Sequence, residues 1–307
     1  MVDLERTMRN RLRADDLRYL VAVANTGRLV AAAGQLGVDQ STVSRRLRVL
    51  EKTLGTRLLE KGAEGWELTE VGRAIAERAS PIEAALEGVV RAATGATEGE
   101  VSGHFRLIAP DGFGAVFVAP ALVRLRHQHP GLVIELITAT RQLGLHQAGF
   151  DLAISIGAPP ATRLLTERLC DYRLALYASS EYIETHGRPS NLADVRQHPL
   201  IFYVDSMLQV GDLDIDQYVP GADARVTSTN IFAQLEATRS GGGIGLLPQF
   251  MAVREPSLVE LTETGVDVHL PITLAVRREG AGRRAVQEVR RALHEEVLAR
   301  RGELLGQ

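Results

Sequence analysis

The stretch Leu29–Leu54 constrains the fold of this chain more than any other, and it reads LVAAAGQLGVDQSTVSRRLRVLEKTL. Apolar residues recur at helical spacing in its first part, at Leu29, Ala32, Ala33 and Leu36. Gly37 then breaks the periodicity, Val38 begins a turn, and the carboxylate of Asp39 is suited to cap a second helix. The pattern predicts two helices joined by a tight turn.

The second predicted helix has an apolar face and an opposite polar, basic face. The apolar positions are Val43, Leu47, Leu50 and Leu54, and the polar ones are Ser41, Arg45, Arg48 and Lys52. Such a helix suits the major groove of DNA. The alternative is an ordinary amphipathic surface helix with a solvated charged face. Three consecutive alanines before the turn allow the close helix packing of a helix-turn-helix and favour DNA binding.

Charge is spread unevenly along the chain. The 307 residues carry a net charge of −3. Residues 1–61 hold 12 Lys/Arg against 7 Asp/Glu, a net charge of +5, which leaves −8 for the remainder. A basic N-terminal part on an acidic remainder predicts a polyanionic partner for the N-terminal part alone.

Signals for export or membrane insertion are missing from the sequence. No apolar run approaches the roughly 18 residues of a membrane span. The N-terminal segment is charged and lacks the apolar core of a signal peptide. Cys170 is the single cysteine, so no intramolecular disulfide can form. We therefore expect a cytoplasmic protein with no membrane partner.

The neighbouring segments complete a small domain around these two helices. Asp16–Asn25 has the pattern of a preceding helix, and Leu58–Lys61 with Trp66–Leu68 predicts a hairpin wing. Thr69 is placed to cap a long helix that could run to Thr94. Part of its apolar set is spaced by three and four, as in a helix-pairing seam, so we expect a dimer at least.

The run DLRYLVAVANTGRLVAAAGQLGVDQSTVSRRLRVLEKTLGTRLLEKGAEGWELTEVG resembles the N-terminal domain of LysR-type transcriptional regulators, nearly without gaps over roughly residues 12–95. GFDLAISIG, YASSEYIETHGRP and GGGIGLLPQF resemble segments of that family's effector domain. The resemblance implies an N-terminal all-α winged helix-turn-helix at 1–68, a dimerisation linker helix at 69–95 and a regulatory domain at 96–307. It implies that this last domain has two α/β lobes joined by crossover strands, as in periplasmic binding proteins.

Three residues depart from the family pattern. Arg28 stands where a small hydroxyl residue is usual, and Thr42 stands where proline is common. Pro81 lies inside the predicted linker helix, where it removes one backbone hydrogen bond and is expected to bend the helix. We expect Pro81 to affect the dimer geometry and not DNA binding.

Strand and helix signals alternate beyond a polar hinge at Thr94–Glu100, which predicts an α/β domain with a mainly parallel sheet. The predicted strands are His104–Ala109, Val133–Ala139, Leu152–Ile156, Leu174–Ala178, Leu200–Val204, Ala224–Thr227, Ile244–Leu247 and Pro271–Val276. The predicted helices are Val116–Gln128, Gln142–Ala148, Ile231–Ser240 and a last one from about Arg283. We expect Pro271–Val276 and the last helix to return to the first lobe.

Other candidate sites have plainer interpretations. Gly241–Gly245 lacks the lysine ending of a phosphate loop, so close packing at a helix-to-strand turn explains it better. His127 and His129 would face different ways on one helix, and no cluster has zinc spacing, so we expect no metal and no cofactor. Cys170 could be a redox sensor, but an isolated cysteine is more often structural. No nucleophile elbow or paired-carboxylate motif supports an enzyme.

The recognition helix supplies the predicted contacts to DNA. Those expected to reach base edges are Gln40, Ser41, Thr42, Ser44 and Arg45, and those expected on phosphates are Arg28, Arg48, Arg57 and Lys61. Glutamine pairs bidentately with adenine and arginine with guanine, whereas phosphate contacts position the protein without reading sequence.

Ligands of open α/β sheets bind beyond the carboxyl ends of the strands. The effector-binding candidates at such ends are Asp111, Gly112, Phe113, Thr138, Thr140, Tyr203, Asp205 and Asn230, although each could be a plain surface loop residue. Asn230 opens a helix whose N-terminus suits an anion. Asp111 disfavours a carboxylate ligand unless Arg141 pairs with it, and favours a ligand with a cationic or hydroxyl group. With facing lobes, Asp111–Phe113 and Tyr203–Asp205 would form opposite walls of one pocket.

The sequence thus predicts a DNA-binding transcriptional regulator controlled by a small-molecule effector in the C-terminal cleft. Its expected partners are double-stranded DNA, the effector, further copies in a homodimer or homotetramer, and RNA polymerase as a further candidate. A small-molecule binding protein without regulatory output is the alternative, and an enzyme on the same scaffold is less favoured.

Overall fold

The computed structural model describes residues 11–26, 28–62, 65–94, 101–138, 150–157, 164–204, 215–277 and 280–306. The chain divides into two compact units. The first consists of Met1–Glu100 with Leu143–Phe150 and Arg278–Arg283, and the second of Val101–Gln142, Asp151–Arg277 and Arg284–Gln307. No helix in the described ranges combines the length and the apolar character that crossing a bilayer requires.

The N-terminal unit contains the three helices, the hairpin and the long helix that the sequence predicts. They are α1 (Ala14–Thr26), α2 (Leu29–Leu36), α3 (Gln40–Leu54), β1 (Leu59–Gly62), β2 (Gly65–Leu68) and α4 (Glu70–Thr94). β1 and β2 pair antiparallel as the wing. The Thr69 hydroxyl accepts a hydrogen bond from the Gly72 amide at 2.9 Å, which confirms it as the N-cap of α4.

The core of this unit buries the apolar face of α3. Val43, Leu47 and Leu50 are each at most 1% exposed, and they pack in one cluster with side chains of α1 and α2. Leu58, before the wing, is also fully buried. A Cβ at Gly72 would lie 2.3 Å from the Leu58 carbonyl oxygen, so the first turn of α4 packs directly on the backbone before the wing.

Within the described residues, the C-terminal unit is built on a nine-stranded sheet. Its strands are β3 (Gly103–Ala109), β4 (Leu132–Thr138), β5 (Leu152–Ile156), β6 (Leu164–Ser179), β7 (Leu200–Phe202), β8 (Ala224–Thr227), β9 (Ile244–Pro248), β10 (Leu258–Glu260) and β11 (Asp267–Arg277). Their order is β4-β3-β5-β11-β6-β9-β7-β8, with β10 paired to β6.

Helices cover this sheet. They are α5 (Asp111–Phe113), the π-helical segment π1 (Gly114–Val118), α6 (Ala119–Gln128), α7 (Ser180–His186), α8 (Leu192–Val195), α9 (Ile215–Tyr218), α10 (Ile231–Arg239), α11 (Gln249–Ala252), α12 (Arg284–Ala299) and α13 (Arg301–Leu305). The helical run after β3 begins at Asp111, five residues before the predicted start at Val116, since two glycines of low helix propensity conceal it. The predicted helix Gln142–Ala148 lies outside the described residues.

Each lobe has its own parallel strands. β3 is parallel to β4 and β5 in the first lobe, and β7 is parallel to β8 and β9 in the second. The long strands β6 and β11 run antiparallel between them. The expectation of a mainly parallel sheet is therefore right inside each lobe and wrong for the centre.

The first half of β6 escaped prediction because of its side chains. Leu164–Arg173 is rich in charged residues, and most of its side chains are partly exposed, so it lacks the apolar run of a fully buried strand. Pairing with β11 makes it a strand. β11 also pairs with β5, and an Arg124–Glu296 ion pair joins α6 to α12. The chain therefore returns to the first lobe as predicted.

Candidate nucleic-acid interface and ligand pocket

The turn between α2 and α3 is set by a glycine in left-handed backbone conformation. Gly37 has φ +64°, and the amides of Gly37 and Val38 donate to carbonyls of α2 at 3.3 and 3.0 Å. Asp39 occupies the predicted N-cap position of α3, but its carboxylate makes no capping hydrogen bond. Its main-chain oxygen instead accepts from the Thr42 amide at 2.9 Å. The predicted role of the Asp39 side chain is therefore wrong.

The predicted DNA contacts all lie at the surface of the N-terminal unit. The exposed ones are Arg28, Gln40, Ser41, Arg45, Arg48, Arg57 and Lys61, and the half-exposed ones are Thr42 and Ser44. Those on α3 lie on its outer side. Arg28 directly precedes α2, Arg57 precedes the wing, and Lys61 lies on the first strand of the wing. Arginine and lysine side chains there can reach phosphates, and the polar residues in the first turns of α3 can reach bases.

Two ionic side chains that sequence reasoning missed hold α3 in place. Arg46 donates to the buried carboxylate of Asp16 on α1 at 3.2 Å. Glu51 accepts from the amides of Leu58 and Leu59, at 2.8 and 3.2 Å, and so fixes the wing to α3. The role of Asp16 could have been inferred from the sequence, because it is an acidic residue on the inner side of a predicted helix.

A pocket open to solvent lies in the C-terminal unit beyond the ends of β3 and β7. Its lining consists of Pro110, Asp111, Gly112, Phe113, Ile156, Tyr172, Tyr203, Ile231, Pro248, Phe250 and Ile272. The structure thus brings Asp111–Phe113 of the first lobe and Tyr203 of the second lobe to one pocket, as predicted. A Cβ at Gly112 would lie 2.6 Å from the Met251 sulfur, so the lobes touch at this point.

The remaining effector candidates are placed differently. Thr138 is absent from the lining and lies beside Gly114, where a Cβ would be 2.8 Å from its methyl group. The Asn230 side-chain oxygen caps α10, accepting from the amides of Phe232 and Ala233 at 2.8 and 3.4 Å. The proposed anion at that helix end would therefore compete with Asn230. Thr140, Arg141 and Asp205 lie outside the described residues.

Aromatic rings form one side of the pocket and the layer beneath it. Phe113 stacks on Phe117 with ring centroids 5.2 Å apart, and Phe250 meets Phe117 edge to face at 5.3 Å. Tyr172 contacts Phe250 at 5.9 Å. Sequence reasoning missed Tyr172 and Phe250, although Phe250 lies just beyond the carboxyl end of β9, where ligands of open α/β sheets bind.

The pocket chemistry is set by one carboxylate and two phenols. Burial raises the pKa of Tyr203, and the neighbouring Asp111 raises it further. Burial likewise holds the pKa of Tyr172 well above its usual value. Both phenols therefore stay protonated at neutral pH. The pocket can recognise a mainly apolar molecule through a few polar groups, as ligand pockets generally do.

The plainer interpretations of Cys170 and of Gly241–Gly245 fit the structure. Burial, aided by Asp171, raises the pKa of Cys170 to about 12, so it is a neutral thiol at pH 7. A Cβ at Gly243, where φ is +137°, would lie 2.2 Å from the Pro199 oxygen, as close packing at that turn requires. His129 directly follows the end of α6 and does not lie on the helix as predicted, and it accepts from the Val101 amide at 3.2 Å. Within the described ranges, no three potential ligands cluster as a metal site.

Comparisons with known proteins agree with this architecture. The chain matches a family model described as "LysR substrate binding domain" over residues 98–298 and one described as "Bacterial regulatory helix-turn-helix protein, lysR family" over residues 14–73. An uncharacterised HTH-type transcriptional regulator of Haemophilus influenzae is 30% identical, over 78% of this chain and 84% of that protein.

An HTH-type transcriptional regulator of Xanthomonas campestris pv. campestris is 32% identical over 60% of this chain, and the match spans only about half (53%) of that protein's length. Among solved structures, a full-length OxyR variant from Pseudomonas aeruginosa has a TM-score of 0.68 at 20% identity, covering 94% of this chain and 97% of that one. At this identity, the OxyR structure supports the fold alone.

Proposed function

The chain belongs to the LysR family of bacterial transcriptional regulators, and we propose that it binds double-stranded DNA through α3 and alters transcription when a small molecule occupies its pocket. The observation that carries this proposal is the outer side of α3. It presents Gln40, Ser41 and Arg45 to solvent while Val43 and Leu47 anchor the helix in a packed core. Such an arrangement makes α3 a rigid recognition element for a DNA groove.

Roles within the interface follow from the chemistry of each side chain. We assign base recognition to Gln40, Ser41, Thr42, Ser44 and Arg45, and phosphate contacts to Arg28, Arg48, Arg57 and Lys61. Direct base contacts discriminate between sequences, whereas phosphate contacts add affinity that depends on salt. The affinity of the N-terminal unit for any DNA should therefore fall as salt rises, while its sequence preference persists.

Control by the effector needs two arrangements of the regulator with different affinities for the ligand. The pocket supplies the site for such a ligand, because residues of both lobes line it. Asp111, Gly112, Phe113 and Tyr203 are its proposed contacts. Thr138, Thr140, Asp205 and Asn230 remain weaker candidates, since none of them is among the described lining residues. The proposed division of labour is 1–68 for DNA, 69–95 for pairing and 96–307 for the effector.

Apolar side chains at the surface of α4 support self-association. Val71, Leu86 and Val89 are 46%, 39% and 66% exposed in the single chain. We propose that a second copy covers them in a homodimer, or in a homotetramer of two such pairs, with each pair spanning two half-sites about one helical turn or a multiple apart. A monomer in analytical ultracentrifugation at micromolar concentration would contradict this assembly. We further propose that the protein acts in the cytoplasm and that RNA polymerase is one of its partners.

The experiment that tests the function starts from DNA selected out of a random pool by the full-length protein. Fluorescence anisotropy then compares the selected duplex with a scrambled duplex of equal composition. A specific regulator binds the selected duplex about 10³-fold or more tightly at physiological salt. Equal affinity for both duplexes would overturn the proposal. Turnover of a bound metabolite would instead support the less favoured hypothesis, that the protein is an enzyme.

A further inference from the structure

We propose that Arg300 is a positioning residue of the ligand pocket, although it is not among the described residues that line the pocket. Its guanidinium holds a helical segment and an aromatic ring that together support the pocket wall. The inference rests on the proposed function, in which this pocket receives the effector. It goes further by assigning a role in ligand binding to the C-terminal end of the chain.

The first argument is a hydrogen bond from Arg300 to the main chain of π1. Arg300 follows the end of α12, and its Nη1 donates to the Val116 carbonyl at 2.7 Å. In an α-helix this carbonyl would accept from the amide of residue 120, but Pro120 has no N–H. Arg300 thus offers a donor where the local sequence removes one. Because π1 directly follows Asp111–Phe113 of the pocket wall, support for π1 is support for that wall.

The second argument is a contact between Arg300 and a ring beneath the pocket. The guanidinium carbon lies 4.1 Å from the centroid of the Phe117 ring, a favourable cation–π arrangement. Phe117 is fully buried, stacks on Phe113 and meets Phe250 edge to face. Phe113 and Phe250 both line the pocket. One intervening ring therefore separates Arg300 from two side chains of the lining.

The third argument is that Arg300 is itself held in one orientation. Glu303 accepts from its Nε and Nη2 at 2.8 and 2.7 Å, and Glu296 accepts from its Nη1 at 2.8 Å. Glu296 is 3% exposed and also pairs with Arg124. Such charge-assisted and bidentate bonds are strong and directional. A wall that is fixed in this way loses little conformational freedom when a ligand binds, which favours affinity.

Hydrogen exchange of the full-length protein tests the support of π1. Arg300→Met removes the donors and the charge, and it should speed exchange of the π1 amides at least tenfold in mass spectrometry of peptides. The matched control is Arg124→Met, which removes the other arginine from Glu296 and keeps the contacts of Arg300, so exchange should stay within threefold. Equal acceleration in both variants would overturn the inference, because it would reflect a general loss of stability.

Ligand binding is tested with benzyl alcohol, a neutral aromatic probe, by calorimetric titration of the full-length protein. Arg300→Met should weaken its binding at least tenfold. Arg300→Lys keeps a cation and a donor and should stay within threefold of the parent, as should Arg124→Met. Ile156→Phe fills the pocket from β5 and should abolish binding, which locates the probe.

Three results of this titration would overturn the inference. They are unchanged binding in Arg300→Met, unchanged binding in Ile156→Phe, and no binding to the parent protein. Phe117→Leu keeps the test decisive if Arg300→Met does not fold. It removes the intervening ring and keeps the hydrogen bonds of Arg300, and it should also weaken the probe at least tenfold. Unchanged binding in Phe117→Leu would contradict positioning through that ring.

Anisotropy with the selected and scrambled duplexes separates this inference from the proposed function. Specific binding of the selected duplex, combined with unchanged benzyl alcohol binding in Arg300→Met, would remove the positioning role and keep the regulator. Equal affinity of the parent protein for both duplexes would remove the proposed function, and the inference that rests on it, whatever the probe does.

Discussion

Arg46 on α3 donates a hydrogen bond across 3.2 Å to Asp16 on α1, and Asp16 is 3% exposed. The Arg46 guanidinium also lies 5.8 Å from the centroid of the Tyr19 ring. Arg46 therefore belongs to the support of the recognition helix, whereas its neighbours Arg45 and Arg48 face solvent. Adjacent arginines in one run thus have different roles.

Asp16→Asn should destabilise the N-terminal unit by about 1–3 kcal/mol, because it leaves Arg46 without its buried charged acceptor. The control is Asp15→Asn, since Asp15 also lies 3.8 Å from Arg46 but is half exposed, so its loss should change stability by less than about 0.5 kcal/mol. Trp66, the single tryptophan, lies on the wing and reports this unit specifically. Urea unfolding followed by tryptophan fluorescence measures both variants, and equal effects would contradict the buried pair.

Arg45→Ala should cost about 1–3 kcal/mol on the selected DNA and relax the preference at one base position. Lys61→Ala on the wing should weaken binding to all duplexes alike and lower the salt slope by about one. Anisotropy over a salt series on selected and scrambled duplexes measures both. If Arg45→Ala lost the same affinity on both duplexes, the recognition face would be assigned wrongly.

Two glycines of the N-terminal unit should respond to alanine in opposite directions. Gly34→Ala should stabilise the unit by about 0.5–1 kcal/mol, because Gly34 is helical and a Cβ there meets nothing within 4 Å. Gly72→Ala should destabilise it by about 1–3 kcal/mol, because the new Cβ would meet the Leu58 carbonyl oxygen at 2.3 Å. Tryptophan-detected urea midpoints that move the same way in both variants would show that α4 does not pack against the backbone before the wing.

The C-terminal unit should lose stability in acid through Glu303. Hydrogen bonds from Arg300 lower the pKa of Glu303 from 4.5 to about 2, against the effect of burial and with help from Arg254. Because the folded pKa is depressed, this contribution is present above pH 4.5 and is lost as the pH falls towards 2.

Glu303→Gln should therefore cost on the order of 1 kcal/mol at pH 7, given the partial exposure of the ion pair, and less as the pH falls. Urea unfolding followed by circular dichroism at pH 7, 5, 4 and 3 measures this difference, with Glu184→Gln as the exposed control. A gap between variant and parent that stayed constant down to pH 3 would speak against a depressed Glu303 pKa.

Cys170 should resist alkylation in the folded protein. With its pKa raised to about 12, its thiolate fraction at pH 7.5 is roughly a thousandfold below that of an ordinary cysteine. Iodoacetamide labelling followed by mass spectrometry should show slow modification that becomes fast in denaturant. Rapid labelling of the native protein would reopen the redox interpretation.

The predictable features of the fold are those that depend on residues close together in the sequence. The two faces of α3 follow from spacing within Gln40–Leu54, and the position of Asp111 after β3 follows from the strand-end rule. The Arg46–Asp16 pair joins residues 30 positions apart, and Tyr172 reaches the pocket on the first half of β6, which pairs with β11. Such features depend on partners distant in sequence, which local periodicity cannot show.

The two lobes share one continuous ladder, because β6 pairs with β11 from Leu164 to Ala175 and β11 pairs also with β5. Both strands run through both lobes, so opening the lobes bends the two strands and need not break the hydrogen bonds between them. Twisting the ladder keeps them, since strands are twisted already. The register shifts between Ile272 and Thr273, and Ile272 lines the pocket. A ligand in this pocket would therefore contact the β6–β11 ladder at the point where its register shifts.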